Sequence, residues 1–400
     1  MSTELLSNPK TSSVYQAATA DLTFPLPDTS ALEPKSLRQR LYSPVDRLAY
    51  DRIAGVYQSA PVVELGREGR LVIFSDLHVG HRGWRDDFLP NSKLFMEVCA
   101  QHYLDSGYQL ALNGDVEELQ NFPLSAITSK WGDLYELFRA FQNETNLYKI
   151  VGNHDLSLLQ DHGKNLPIDV EHIEGLRVRA GGGEIFLLHG HQASHYQTFA
   201  GQQLGLFMKY LLSPLGFRNY SKSYESNSIY RLEKRCYDFA RRHGVMTMIG
   251  HTHRPLFEAL SKVDSLRYRI EALCREHSQC SDAGRLEDLT REIARCNAEL
   301  RRIRQKGHRS SVRGSLYDRE TGVPCLFNSG SVISKNYITS LEIRDGKISL
   351  AYWYDDKNGE APFMCEEEGW NTVRTSSGYR RVIIRQENLD YLFTRIRFLA

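Results

Sequence analysis

The chain has no apolar run approaching the ~20 residues that span a bilayer, so no transmembrane helix is expected. It also lacks any C-x-x-C pair. Its seven cysteines (Cys99, Cys236, Cys274, Cys280, Cys296, Cys325, Cys365) are odd in number and scattered. That excludes a zinc ribbon and argues against a disulfide framework. Reduced thiols in a cytoplasmic protein fit such usage. Excess charge of one sign is missing too. A formal net charge of +1 speaks against the whole chain coating nucleic acid. Residues 1–8 lack a basic stretch followed by a long apolar core, so no secretory signal is expected. What remains is 400 residues with 41% hydrophobic content, enough for one large or two modest domains with a sizeable core.

Within that ordinary composition one pattern repeats. The apolar run Leu71-Val72-Ile73-Phe74 reads as a buried strand and ends in Ser75-Asp76-Leu77-His78. Side chains alternate along a strand, so Asp76 and His78 point the same way, a hard oxygen beside an imidazole. Leu110 through Asn113 leads likewise into Gly114-Asp115. Leu147 through Val151 leads into Gly152-Asn153-His154-Asp155. Ile185 through Leu188 leads into His189-Gly190-His191, and Val245 through Ile249 into Gly250-His251-Thr252-His253. The glycines permit a sharp exit from the sheet. Ligands at strand ends converge on one edge of an α/β sheet. Carboxylates, imidazoles and one amide favour Mn, Fe or Zn over a structural thiolate zinc. Six or seven ligands exceed the needs of one catalytic ion. Two divalent ions ~3.5–4 Å apart, sharing one carboxylate, account for them.

Around these motifs the chain divides by composition. Residues 1–60, rich in Ser, Thr, Pro and Ala, read as a flexible N-terminal arm, with short helical pieces toward its end. Core segments are expected at 61–258 and 314–356, with a C-terminal extension at 357–400. Helices are expected over Lys93–Tyr103, Leu124–Phe141 and Asn388–Phe398. Ile338–Glu342 and Lys347–Tyr352 alternate as a hairpin around Asp345-Gly346, expected to complete a second sheet. Residues 192–244 carry two apolar stripes, Leu204–Leu212 and Ile229–Phe239. They read as helices on the sheet or as a cap over the site, and Tyr220, Lys222, Tyr224 and Tyr230 would serve such a cap.

Residues 259–313 step in threes and fours through Val263, Leu266, Ile270 and Leu273, then through Leu286, Leu289, Ile293, Cys296, Leu300 and Ile303. Ser281 to Gly284 separates the runs. The pattern predicts an inserted antiparallel helical hairpin with arms of ~30 Å. A second copy or a protein partner is expected to cover part of its seam. Its second arm is basic: Arg291, Arg295, Arg301, Arg302, Arg304, Lys306, Arg309 and Arg313. This is either a solvated face or a cationic collar attracting an anionic substrate. Without interleaved aromatics, nucleic acid is the less favoured partner.

The five ordered motifs resemble those of the calcineurin-like metallophosphoesterase superfamily, over Leu71 to about Val332. The resemblance implies an α/β fold, a two-sheet αββα sandwich, here with the helical hairpin inserted. It implies Asp76, His78 and His253 on one metal, and Asn153, His189 and His251 on the other. Asp115 bridges, and His191 lies behind the ligands. It further implies that His154 contacts the phosphate and protonates the leaving oxygen, with Asp155 orienting it. Glu118 stands where the family commonly has a second Asp, which supports the site without binding metal. Arg254, His81 and Arg82 are weaker candidates for substrate contact. The order of motifs looks nearest to the UDP-2,3-diacylglucosamine hydrolase-like branch. The expected activity is two-metal hydrolysis of a phosphate ester or pyrophosphate by a metal-bridging hydroxide, on a phosphorylated substrate of open class. A metal-dependent nuclease and a catalytically silent scaffold working through the hairpin are the alternatives.

Overall fold

Strand β2 (Leu71–Phe74) is buried on both faces and explains the layering. Leu71 and Ile73 pack into one core, Val72 and Phe74 into another. Such a strand needs cover on each side, as parallel strands in α/β proteins do. The structure, a computed structural model, describes residues 43–160, 166–194, 226–258, 262–306, 322–357 and 373–400. Beside β2 lie β3 (Gln109–Asn113) and β4 (Leu147–Ile150), both parallel to their neighbours. The crossover between β2 and β3 carries α2 (Ser92–Val98), which runs on as a π-helical turn, Cys99–Leu104.

Between β3 and β4 one helix was expected, and the structure has two, α3 (Leu124–Lys130) and α4 (Gly132–Glu144). The break falls at Trp131, whose indole N–H donates to the Gly80 carbonyl and to Asp86 Oδ2, both at 3.1 Å. Anchoring that buried ring fixes the kink.

Two mixed sheets result, consistent with the metallophosphoesterase sandwich. The larger has seven strands in the order β12 (Tyr379–Asn388), β11 (Lys347–Asp355), β10 (Tyr337–Arg344), β2, β3, β4 and β5 (His172–Ile173), and the smaller has five. In the smaller sheet, β1 (Val62–Glu64), β6 (Gly175–Ala180), β7 (Gly183–Leu188), β8 (Met246–Ile249) and β9 (Leu326–Asn328) follow one another. The core between the sheets joins Ile73, Ala111 and Ile150 to Ile185, Leu187 and Met248. Outside the smaller sheet, α1 (Pro44–Ser59) and α5 (Ser226–His243) meet Phe186 through Tyr57 and Phe239.

Three expectations need correction. The arm does not extend to residue 60, because α1 buries Ile53 and Val56 in the core. The hairpin of β10 (Tyr337–Arg344) and β11 (Lys347–Asp355) joins the sheet of β2, with β10 antiparallel to β2, instead of completing the other sheet. The stretch taken as a C-terminal extension supplies β12 (Tyr379–Asn388), which pairs along all of β11. It also supplies α8 (Leu389–Leu399), whose Leu389, Leu392 and Ile396 enter the core between the sheets.

Residues 262–306 form α6 (Lys262–Gln279) and α7 (Ala283–Lys306). Leu266 and Leu273 of α6 pack on Leu289, Cys296 and Leu300 of α7. Arg269–Glu292 and Arg285–Glu276 pair across the seam. No helix among the described residues is long and apolar enough to cross a membrane. The arm up to residue 42, the stripe Leu204–Leu212 with Tyr220, Lys222 and Tyr224, and Arg309 and Arg313 lie outside the described residues.

Candidate metal centre

The loops leaving β2 and β3 run side by side and hydrogen-bond as a continuation of the sheet. Asp76 N–H donates to Gly114 O at 3.0 Å, Leu77 and His78 to Asp115 O, and Val79 to Val116 O at 2.8 Å. Asp76, His78, Asp115, His251 and His253 all have left-handed backbone, with φ between 48° and 63°. They are five of the nine such non-glycine residues among those described. Each such residue costs about 1–3 kcal/mol, and strain of this kind persists where surrounding structure over-determines it. Gly114 (φ 88°) and Gly152 make the close approach possible. A Cβ at Gly114 would strike the His189 ring, and one at Gly152 would strike Asp115 Oδ1.

Four of the candidate ligands, His189, His78, Asp76 and Asp115, use one polar atom to hold themselves and turn another inward. His189 Nδ1–H donates to Asn113 O at 2.8 Å, which leaves Nε2 facing the site. His78 Nδ1–H donates to Glu118 Oε2 at 2.8 Å, which leaves its Nε2 inward. Asp76 Oδ2 accepts from His251 N–H at 3.0 Å, and its Oδ1 faces His253 Nε2 at 3.1 Å. Asp115 Oδ1 accepts from His154 N–H at 2.8 Å. Asp115 Oδ2 then lies 3.1 Å from His189 Nε2 and 3.8 Å from His78 Nε2, between the two histidines. Three groups of inward atoms result, Asp76-His78-His253, His78-Asp115-His154 and Asp115-His189-His251.

These atoms fit divalent cations. Asp76 Oδ1, Asn153 Oδ1 and His189 Nε2 are buried with no hydrogen-bond partner, a costly state unless something positive sits among them. His78 Nε2 and His253 Nε2 face each other at 3.4 Å, as two lone pairs directed at one ion would. Oxygen and imidazole donors suit a metal of intermediate softness. The local field says the same. Burial would raise the Asp76 carboxyl, but His253 and His189 outweigh it and hold it at about 2. Burial would lower the His189 imidazole, but Asp115 and Asp76 lift it to about 9. Burial and the neighbouring His189 instead push the His251 imidazole down, to about 3, which leaves it neutral, the form in which an imidazole binds metal.

A protein-family model described as calcineurin-like phosphoesterase matches residues 69–255. The match spans a little under half of the chain and takes in the strand ends from Asp76 to His253. No curated protein matches the chain. Among solved structures, a single mutant of Vps29 from Entamoeba histolytica is similar at 10% identity and a TM-score of 0.30. The likeness covers 80% of this chain and 98% of that one. Vacuolar Protein Sorting 29 from Cryptosporidium parvum is similar at 11% identity and a TM-score of 0.32, over 80% and 98% of the two chains.

At the rim of the ligand cluster His154 has a side chain 24% exposed, with Nε2 3.9 Å from Asp115 Oδ2. Its orienting acid is not the neighbour the sequence suggested. Both Asp155 oxygens are taken by backbone, Oδ2 by Val116 N–H at 2.8 Å and Oδ1 by Gly152 N–H at 2.5 Å. Glu118 Oε2 instead lies 2.7 Å from His154 Nδ1, an ion-pair contact short of an aligned hydrogen bond. Burial would lower this imidazole, but Asp115 and Glu118 raise it to about 10. His191 is buried beside His189 and His251, with ring centroids 5.5 and 6.4 Å away.

The weaker substrate candidates are engaged elsewhere. Arg82 pairs with Asp133 at 2.6 Å, donates to Lys130 O and lies over the Trp131 ring. His81 stacks on Phe122 at 4.4 Å. His251 and His253 turn into the site, whereas Thr252 and Arg254, the alternate residues, both reach buried Glu233 on α5. Arg254 therefore ties the histidine loop to α5.

Sequence reasoning missed Glu233, Glu117 and Lys149. The last had a signal: a lysine inside the apolar run Leu147–Val151 breaks its own strand pattern, and a buried ammonium needs partners. Nothing marked Glu233 among the charges of α5.

Proposed function

We propose that the chain is a two-metal phosphoesterase that hydrolyses a phosphate ester or pyrophosphate. The observation that carries this reading is the convergence of buried, unpartnered ligand atoms from separate strand ends onto one small volume. Asp76, His78 and His253 would hold one ion and Asn153, His189 and His251 the other, with Asp115 Oδ2 shared. Two divalent cations supply charge neutralisation on a phosphoryl group and a nucleophile drawn from water. The protein residues keep those cations in register and shape the approach. Glu118 carries a depressed pKa, at about 2: burial opposes ionisation, but its contacts to His154 and His78 outweigh it. It stays ionised and keeps His154 protonated at Nδ1. That orients His154 Nε2 toward the mouth, where it would donate to a phosphoryl or leaving-group oxygen.

The motif order most resembles the UDP-2,3-diacylglucosamine hydrolase-like branch, so pyrophosphates belong in any substrate screen. The test is hydrolysis of p-nitrophenyl phosphate and bis-p-nitrophenyl phosphate with Mn(II). Turnover that chelation abolishes and Mn(II) restores supports the reading. No turnover on either ester, with no metal retained, contradicts it and favours the silent scaffold. His154→Ala should retain both ions and lose roughly 10²- to 10⁴-fold in kcat, the usual weight of a general acid. Paired metal analysis and steady-state kinetics check that.

A further inference from the structure

Lys149 is wholly buried, and the reaction outlined above does not use it. In β4 it alternates with Tyr148 and Ile150, which join the core between the sheets, so it points the other way, toward α4. There its ammonium meets Glu117 Oε2 at 2.6 Å and Asp155 Oδ2 at 3.7 Å. Tyr135 of α4 donates to the other Glu117 oxygen at 3.1 Å. The two acids belong to different ligand loops. Glu117 follows Asp115 by two residues, and Asp155 follows Asn153 by two. Asp155 in turn holds Val116 N–H in the first loop and Gly152 N–H in the second. Glu117 also pairs with Val79, on the loop of Asp76 and His78.

We infer that Lys149 is a positioning residue that clasps the Asp115 loop to the Asn153–His154 loop from beneath and thereby sets the spacing of the two metal sites. The inference rests on the metal-centre reading. Three geometric facts carry it. One buried cation touches acids from both loops. One of those acids, Asp155, spends both oxygens on backbone amides flanking the ligands. The strand that holds the cation is hydrogen-bonded on both sides, to β3 and to β5. Outer contacts of this kind hold ligands in place, and their loss costs roughly 10- to 100-fold in metal affinity.

Lys149→Met alone strands Glu117 in the core and can fail to fold. The double variant Lys149→Met/Glu117→Gln removes both charges and leaves Asp155 on its two amides. Calorimetric Mn(II) titration of wild type, Glu117→Gln and the double variant, with circular dichroism to establish folding, is the experiment. Expected is a folded double variant in which at least one ion binds roughly 10- to 100-fold more weakly. Glu117→Gln alone, which keeps the ammonium and its reach to Asp155, should bind both ions within a few-fold of wild type. Wild-type affinities in the double variant would overturn the inference. So would an equal loss in Glu117→Gln alone, which would assign the effect to the acid. Wild type binding no ion at all is a different failure, that of the metal-centre reading.

Discussion

Asp115→Asn should abolish turnover, by on the order of a thousandfold or more in kcat/KM, while the apo protein keeps its fold. Asp115 Oδ2 lies 3.1 Å from His189 Nε2 and 3.8 Å from His78 Nε2, inward nitrogens of the two proposed ion sites. Asparagine preserves the shape, and an amide oxygen still accepts the His154 N–H. It removes the negative charge that two cations would share. Burial would raise the Asp115 carboxyl, but His189 and His154 hold it well below its usual range, so the apo variant gives up some stability along with the charge. Steady-state kinetics with Mn(II), alongside thermal unfolding of the apo forms, separates the two effects. Wild-type activity in this variant would contradict the shared-ligand assignment.

Arg381→Met should cost about 3–5 kcal/mol of stability at neutral pH, the usual consequence of removing one partner from a buried pair. Arg381 Nε donates to Glu342 Oε1 at 2.9 Å, its Nη2 pairs with Oε2, and Tyr103 OH donates to Oε1 at 2.6 Å. The pair fastens β12 to the rest of its sheet across β11. Burial would raise the Glu342 carboxyl, but Arg381 outweighs it and holds it below its usual 4.5. A depressed folded pKa contributes stability above about 4.5 that is lost as pH falls through the lower folded value. In the variant the stranded carboxyl gains its proton readily. The stability gap should therefore be widest near neutrality and narrow in acid. Urea unfolding of both proteins at several pH values measures it, and a gap that is pH-independent would contradict the account.

The ligand loops were legible because their chemistry is local. An apolar run, a glycine and a ligand side chain sit within a few residues, and period-two alternation says which of them share a side. The two-sheet layering was legible only through the family resemblance that these motifs carry, since β2 itself is buried on both faces and shows no alternation. The role of Asp155 was misread because sequence adjacency favours it, while the backbone turn after Gly152 directs its oxygens to Val116 and Gly152 amides. Glu118, more than thirty residues from His154, takes its place. The C-terminal strand was unreadable for a similar reason. Arg381 becomes meaningful beside Glu342, and that pairing depends on the register of β10, β11 and β12. Arg254, next to His253, read equally as a phosphate contact or as a cap on the turn. The same alternation that turns His251 and His253 inward turns Arg254 toward Glu233.

The most direct test is the number of metal ions retained. Apo protein loaded with Mn(II), passed through gel filtration and analysed by inductively coupled plasma mass spectrometry should carry two ions per chain. Asp115→Asn and His251→Ala should each carry fewer. Retention of no ion by wild type, or of two ions regardless of those substitutions, would contradict a paired-cation site at these strand ends.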